Sequence, residues 1–230
     1  MNPGRRILSE LSWTVRNQVR DSLEGAIDRK LGIATAGPNY TEARDANADH
    51  VRYEPIRYRV LEHLTERLPL TQDDVVVDIG CGLGRAVCHF AQFRIKSSIG
   101  IEHDPPLADA ARRNATALVG RQAPIEILTC DATVADYADA TLIFMYNPFA
   151  AQILCAVLQR IVASLVQNPR RLAVAYANPV HAQEFDAFPQ FRQIDAFRIP
   201  RLGIPGWAPV DLGGTSVRIW AADQSTFRAD

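Results

Sequence analysis

The stretch Val75-Val-Val-Asp-Ile-Gly-Cys-Gly-Leu-Gly-Arg85 decides the fold. An apolar run, Val75–Val77, leads into Asp78 and then into glycines at positions 80, 82 and 84. An unbroken β-branched run suits a strand covered on both faces. Glycine has no Cβ, so the loop can bend tightly and bring its backbone close to a ligand. Residues 85–93 then carry helical spacing. The unit is a strand, a glycine turn and a helix.

Spacing narrows the choice of ligand. A phosphate-gripping loop needs G-x-x-x-x-G-K-[ST], and no lysine follows these glycines. The dinucleotide fingerprint G-x-G-x-x-G, counted from Gly80, puts Arg85 where its third glycine belongs. That weighs against a pyrophosphate ligand and a nicotinamide oxidoreductase.

The pattern then repeats strand by strand. Residues 98–102 read as a strand ending in Glu102, 24 residues beyond Asp78. Residues 125–130 run into Asp131-Ala132, and Thr141–Tyr146 leads to Asn147-Pro148-Phe149. A helix is expected over 151–166, and a fifth strand over 171–177 ends in Asn178-Pro179. Residues 191–199 and 216–221 alternate as a late antiparallel pair around the glycine- and proline-rich loop 201–214. Polar residues thus collect after strand C-termini, where open α/β sheets bind ligands.

The motif Asp78-x-Gly80-x-Gly82-x-Gly84, with the strand-end residues that follow it, resembles class I S-adenosylmethionine-dependent methyltransferases over roughly residues 70–222. The resemblance implies a Rossmann-like α/β fold: a seven-stranded, mostly parallel sheet with helices on both faces and an N-terminal helical extension. It implies S-adenosylmethionine as cofactor, a methyltransferase domain over 70–230, and an extension or lid over 1–69. Asp78, Gly80, Gly82 and Gly84 would form the cradle. Glu102 would take the ribose hydroxyls, a role that suits one carboxylate with two acceptor oxygens. Asp131 and Ala132 match the adenine position. Asn147-Pro148-Phe149 looks like a shortened form of the Asn-Pro-Pro-[Tyr/Phe] motif of amino-group methyltransferases, which makes Asn147 both a cofactor-site and a catalytic candidate. Residues 28–37 are similar to an upstream element of small bacterial methyltransferases, so Thr35 and Tyr53 become candidate cofactor contacts from the lid; Tyr53 could equally be a packing residue.

Methyl transfer from a sulfonium is an in-line displacement that needs alignment and exclusion of water. An amine acceptor has only to be presented unprotonated, whereas a hydroxyl needs a base. Asn147 could accept a hydrogen bond from an amine and aim its lone pair. The plainer reading of Asn147-Pro148 is a strand-ending turn that caps the next helix. His181, just past Asn178-Pro179, is the histidine candidate for a base, against a surface or packing role. Arg85 could steer the cofactor carboxylate or pair with an acid in the lid.

Composition bounds the rest. The 230 residues suit one α/β domain with an appendage, and 47% hydrophobic residues suffice for a sizeable core. A balance of 25 basic against 26 acidic residues argues against a dedicated nucleic-acid binder. Cys81, Cys88, Cys130 and Cys155 show no zinc spacing, and His50, His63, His89 and His103 suggest no metal. The cysteines read as small buried residues of a reducing compartment. No run approaches the ~20 apolar residues of a membrane span, and the N-terminus lacks a signal-peptide core. A cytoplasmic protein is expected. Leu8, Leu11, Val15, Val19, Leu23 and Ile27 predict an amphipathic helix over 6–30, whose acids Glu10, Asp21, Glu24 and Asp28 favour docking on the body over membrane binding. A further helix is expected over Tyr53–Leu68. The acceptor is a small molecule or a protein, at nitrogen or oxygen. The alternatives are a binding module without turnover and, less favoured by charge, an amino-methyltransferase of nucleic acid.

Overall fold

Val75–Ile79 (β1) is buried along its whole length, as a near-continuous apolar strand requires when helices cover both of its faces. The structure is a computed structural model, and it describes residues 23–35, 54–200 and 214–222. Six further strands are Ser97–Glu102 (β2), Ile125–Thr129 (β3), Leu142–Tyr146 (β4), Ala173–Ala177 (β5), Phe191–Pro200 (β6) and Gly214–Ala222 (β7). They form one sheet in the order β3-β2-β1-β4-β5-β7-β6. The first five are mutually parallel, and β7 runs antiparallel to both β5 and β6.

The chain builds outward from β1 to β2 and β3, then returns to the other side of β1 for β4 and β5. Strand order therefore reverses at β1 and β4. A crevice opens there at the carboxyl ends of the strands, as at any such switch point.

Helices residues 23–31 (α1), Tyr58–Arg67 (α2), Arg85–Phe90 (α3), Pro105–Ala117 (α4) and Ala151–Gln167 (α5) flank the sheet. Side chains of a strand alternate between faces, and β4 divides accordingly. Ile143 and Met145 join Tyr176, Trp220 and the α5 stripe Leu154, Val157, Leu158, Ile161 and Leu165 in one core. Leu142 and Phe144 join Val60, Leu61 and Leu64 of α2, Phe90 of α3, and Val217 and Ile219 of β7 in the other. Each fully buried aliphatic side chain contributes about 1.5–3 kcal/mol, so the two layers hold the sheet from both sides.

Several boundaries differ from expectation. Helix α2 begins at Tyr58, after extended residues 54–57, and Tyr53 lies outside the described residues. Pro55 biases Glu54 away from helix, and the Tyr58 N–H donates to Glu24 Oε2 at 3.2 Å instead of entering an earlier turn. Helix α3 stops at Phe90, with tighter turns from Gln92 N to His89 O and Phe93 N to Phe90 O replacing its last three expected residues. Helix α4 was unanticipated. Asp104 caps it by accepting from Leu107 N at 3.1 Å, and prolines occupy its first two positions. A 3₁₀ helix over Ala182–Ala187 is also new. Of the four free cysteines, Cys81 and Cys88 are buried as expected, whereas Cys130, just after β3, and Cys155, inside α5, are half-buried. Residues 6–22 of the expected first helix lie outside the described residues. Among the described residues, no helix is long and apolar enough to cross a membrane.

Candidate cofactor and acceptor site

The loop after β1 is shaped by its glycines. Gly80, Gly82 and Gly84 adopt φ of 72°, 54° and 82°, the left-handed region that L side chains rarely enter. At Gly80 a Cβ would also stand 2.7 Å from Pro148 Cβ, so the loop after β4 rests directly on the cradle. Gly80 N and Cys81 N both donate to Ile101 O, at 2.8 and 3.0 Å, which folds the turn against the end of β2. Gly100 on β2 makes room for it, since a Cβ there would meet Cys81 Sγ at 2.7 Å.

Two carboxyls meet at this turn. Glu102 is buried at the end of β2, where its Oε2 accepts from Gly82 N at 2.8 Å and its Oε1 from Asp104 N at 3.0 Å. Each oxygen keeps acceptor capacity for a ligand hydroxyl. Asp78, 4% exposed near the end of β1, is pushed up to about 8, chiefly by burial and secondly by the Glu102 charge. A buried carboxyl beside a second carboxylate resists ionisation until a cation arrives.

The N-terminal segment is locked to the same turn. Arg85, 2% exposed, donates from Nη1 to Glu24 Oε2 at 2.8 Å and to Ile56 O at 2.9 Å, and from Nη2 to Asp28 Oδ2 at 3.4 Å. Its Nε donates to Thr35 Oγ1 at 2.6 Å, and its guanidinium lies 4.8 Å over the Tyr58 ring. Thr35 donates in turn from its backbone and its hydroxyl to Asp28. Of the two roles open to Arg85, the structure shows the ion pair with the N-terminal acids. Thr35 is fully buried within that network rather than at the surface of the cradle. Asn114 of α4 completes the attachment: its Nδ2 donates to Ala34 O at 3.1 Å and Leu83 O at 2.8 Å, and its Oδ1 accepts from Ala34 N at 2.9 Å. It joins the N-terminal segment to the cradle loop. An asparagine inside an alanine-rich helix is intrinsically unfavourable, and that was the available hint of a tertiary partner.

The other expected positions lie along the same sheet edge. Asp131 is exposed after β3 and closes a local turn by accepting from Thr133 N at 2.7 Å. Ala132 is buried, and its carbonyl accepts from the Tyr137 hydroxyl at 2.7 Å. Asn147, half-buried after β4, and Asn178, after β5, adopt φ of 41° and 49°. Asparagine tolerates that region better than most residues, which accounts for the two Asn-Pro pairs at adjacent strand ends. The Tyr176 hydroxyl donates to Asn147 Oδ1 at 3.0 Å, and the backbone of His181 lies near it. Burial raises the Tyr176 hydroxyl above its ordinary value, so it remains a donor. The structure thus links Asn147 to a buried tyrosine at the end of the neighbouring strand, which the sequence motifs do not single out. Concavities of about 510 and 530 Å³ adjoin this loop, and both are lined by Pro179, Val180 and Arg218. Among the described residues no cluster of His, Cys, Asp and Glu could hold a metal ion.

Parts of the chain are similar to known methyltransferases. Residues 45–127, which include the cradle, β2 and α4, match the family model described as histone methylation protein DOT1. A protein-lysine N-methyltransferase of Saccharolobus islandicus is 31% identical over 100 residues, 42% of this chain and 60% of its own length. A ribosomal protein L11 methyltransferase of Pasteurella multocida is 34% identical over 86 residues, 34% of this chain and 29% of its own. The chain therefore spans less than two thirds of either relative. Among solved structures, an S-adenosylmethionine-dependent O-methyltransferase of Thermotoga maritima superposes with a TM-score of 0.53 at 16% identity, over 74% of this chain and 67% of that one. A magnesium protoporphyrin IX methyltransferase of Synechocystis, solved with bound cofactor, gives 0.52 at 13% identity, over 72% and 77%. These likenesses show the fold.

Proposed function

We propose, taking as premise that this chain is a class I S-adenosylmethionine-dependent methyltransferase in fold and motif, that it methylates an amino group of a protein acceptor. The residues present fit that cofactor. The cradle has no room for a Cβ at Gly80, Glu102 offers a buried carboxylate to a vicinal diol, and Asp78 is a buried acid suited to a cationic ligand. Bound S-adenosylmethionine would supply a methyl group on a positively charged sulfur, to be displaced in line as the nitrogen–carbon bond forms and the carbon–sulfur pair stays with sulfur.

The chain's own residues then have three tasks. Glu102 and Asp78 orient the cofactor by opposite ends. Asn147 accepts a hydrogen bond from the acceptor amine and directs its lone pair along the displacement line, which lowers the barrier by alignment. Pro148 and Phe149 close the loop over the cradle and exclude water. The product ammonium releases its extra proton to solvent, so the amino acceptor requires no protein base at His181.

The observation that carries this reading is the contact of Pro148 with Gly80, which sets Asn147 beside the cofactor turn. Protein acceptors are supported by what the family model and both relatives are named for. The test is transfer of tritiated methyl from S-adenosylmethionine to poly-L-lysine, ribosomal protein L11 and a whole-protein extract, followed by hydrolysis and separation of methyl-lysines. Label in methyl-lysine is expected. Cofactor binding without label in any amino acid would refute turnover on protein, and label in small molecules alone would move the acceptor class.

A further inference from the structure

Tyr176 lies in the middle of the apolar strand Ala173–Ala177 and is 1% exposed, yet it carries a hydroxyl that buried packing does not require. Two groups meet that hydroxyl. The backbone of His181 lies near its oxygen, and Asn147 Oδ1 lies 3.0 Å away. If the carboxamide of Asn147 presented its NH₂ instead, the buried hydroxyl hydrogen would lose its acceptor. An unmet buried polar group costs about 1–3 kcal/mol, which selects the orientation with Oδ1 facing Tyr176.

Both flanking loops are themselves fixed. The loop after β5 is held by Asn178 N donating to Ser216 O at 2.7 Å and Ala182 N donating to Pro179 O at 3.3 Å. The loop after β4 is held by Asn147 at φ 41° and by Pro148 against Gly80. One hydroxyl therefore ties β5 to Asn147, the neighbour of the proline that touches the cofactor turn.

We propose that Tyr176 is a positioning residue, whose hydroxyl fixes the Asn147 carboxamide so that the second acceptor direction of Oδ1 is the one offered to an incoming amine. This rests on the functional reading given above. Tyr176 touches neither cofactor nor acceptor in this scheme; it acts through Asn147. A carboxamide free to rotate would offer donor and acceptor faces alternately, and misplacement of this kind is felt in turnover rather than in binding.

The test removes the hydroxyl alone, with Tyr176→Phe, in protein labelled with ¹⁵N. The side-chain NH₂ signals of Asn147 are assigned by their loss in Asn147→Asp. In Tyr176→Phe those signals should shift and exchange with solvent faster, while affinity for S-adenosylhomocysteine stays within about twofold and kcat toward a methylated acceptor falls roughly 10- to 100-fold. Asn147→Ala combined with Tyr176→Phe should be no slower than Asn147→Ala alone. Unchanged Asn147 signals would overturn the proposal, and so would shifted signals with undiminished turnover or an additive loss in the double variant. If the parent protein methylates no acceptor at all, the functional reading falls instead, and the Asn147 signals still decide whether Tyr176 orients the carboxamide.

Discussion

Arg85 and Glu24, 61 residues apart, form a 2.8 Å ion pair in which the arginine is 3% and the glutamate 14% exposed. Arg85 directly follows the last glycine of the cradle, so this pair ties the N-terminal segment to the turn that would hold the cofactor. Burial raises the Glu24 carboxyl above its ordinary value, and the Arg85 charge opposes that rise. Such a pair is costly to break from one side.

Replacing Arg85 by methionine leaves Glu24 and Asp28 buried without the Arg85 charge. A loss of about 3–5 kcal/mol in unfolding free energy is expected at neutral pH. Adding Glu24→Gln and Asp28→Asn should restore part of it. Urea unfolding of the single and triple variants checks both, and a single variant as stable as the parent would remove the network from the account.

Asp78 makes a pH prediction with a definite sign. Its folded-state value is raised to about 8 from 3.8, so the folded chain binds the extra proton between these values. Its stabilising contribution is complete below about pH 4 and is lost as pH rises through about 8. Asp78→Asn should therefore raise the melting temperature at pH 8 more than at pH 5. The same protonation means that a cationic cofactor must displace a proton from Asp78. Calorimetry in buffers of different ionisation enthalpy should detect proton release near pH 7 in the parent and not in Asp78→Asn.

His89 acts in the opposite direction. It is 7% exposed among Tyr58, Phe90 and Phe93, its Nε2 has no hydrogen-bond partner among the described residues, and burial lowers it to about 4. The depressed value means that its contribution is present above about 6.5 and is lost as pH falls toward 4. At pH 5 this amounts to about 2 kcal/mol. His89→Leu should flatten the acid limb of a stability profile between pH 7 and 5, and a limb of unchanged slope would place the acid sensitivity elsewhere.

Gly80→Ala tests the contact between cradle and acceptor loop. The new Cβ would stand 2.7 Å from Pro148 at a φ of 72°. A cost of about 1–3 kcal/mol in stability is expected, with loss of both cofactor affinity and turnover. A variant that loses neither would mean that the two loops are not in contact in solution.

Much of this arrangement was legible in the sequence because it is local. Asp78 with its glycines, Glu102, Asp131 and Asn147 each follow an apolar run of strand length, so period and punctuation together located the strand ends. Positive φ at Asn147 and Asn178 agrees with a turn at each Asn-Pro pair. What escaped depends on distant partners. Arg85 could be assigned to cofactor or acid only once Glu24 and Asp28 were seen beside it. The roles of Asn114 and Tyr176 rest on hydrogen bonds to residues 29 to 80 positions away, and no periodicity reports those. Helix α4 escaped for a different reason: its inward face is mostly alanine, too weakly apolar to stand out as a stripe.

The central claim is that the glycine turn and Glu102 form a site for an adenosine-bearing sulfonium. Titration of the folded protein with S-adenosylhomocysteine by calorimetry tests it most directly, beside Glu102→Ala. Saturable one-to-one binding in the parent, weakened at least about tenfold in the variant, is the predicted result. No measurable heat in the parent, or equal affinity in the two proteins, would contradict it.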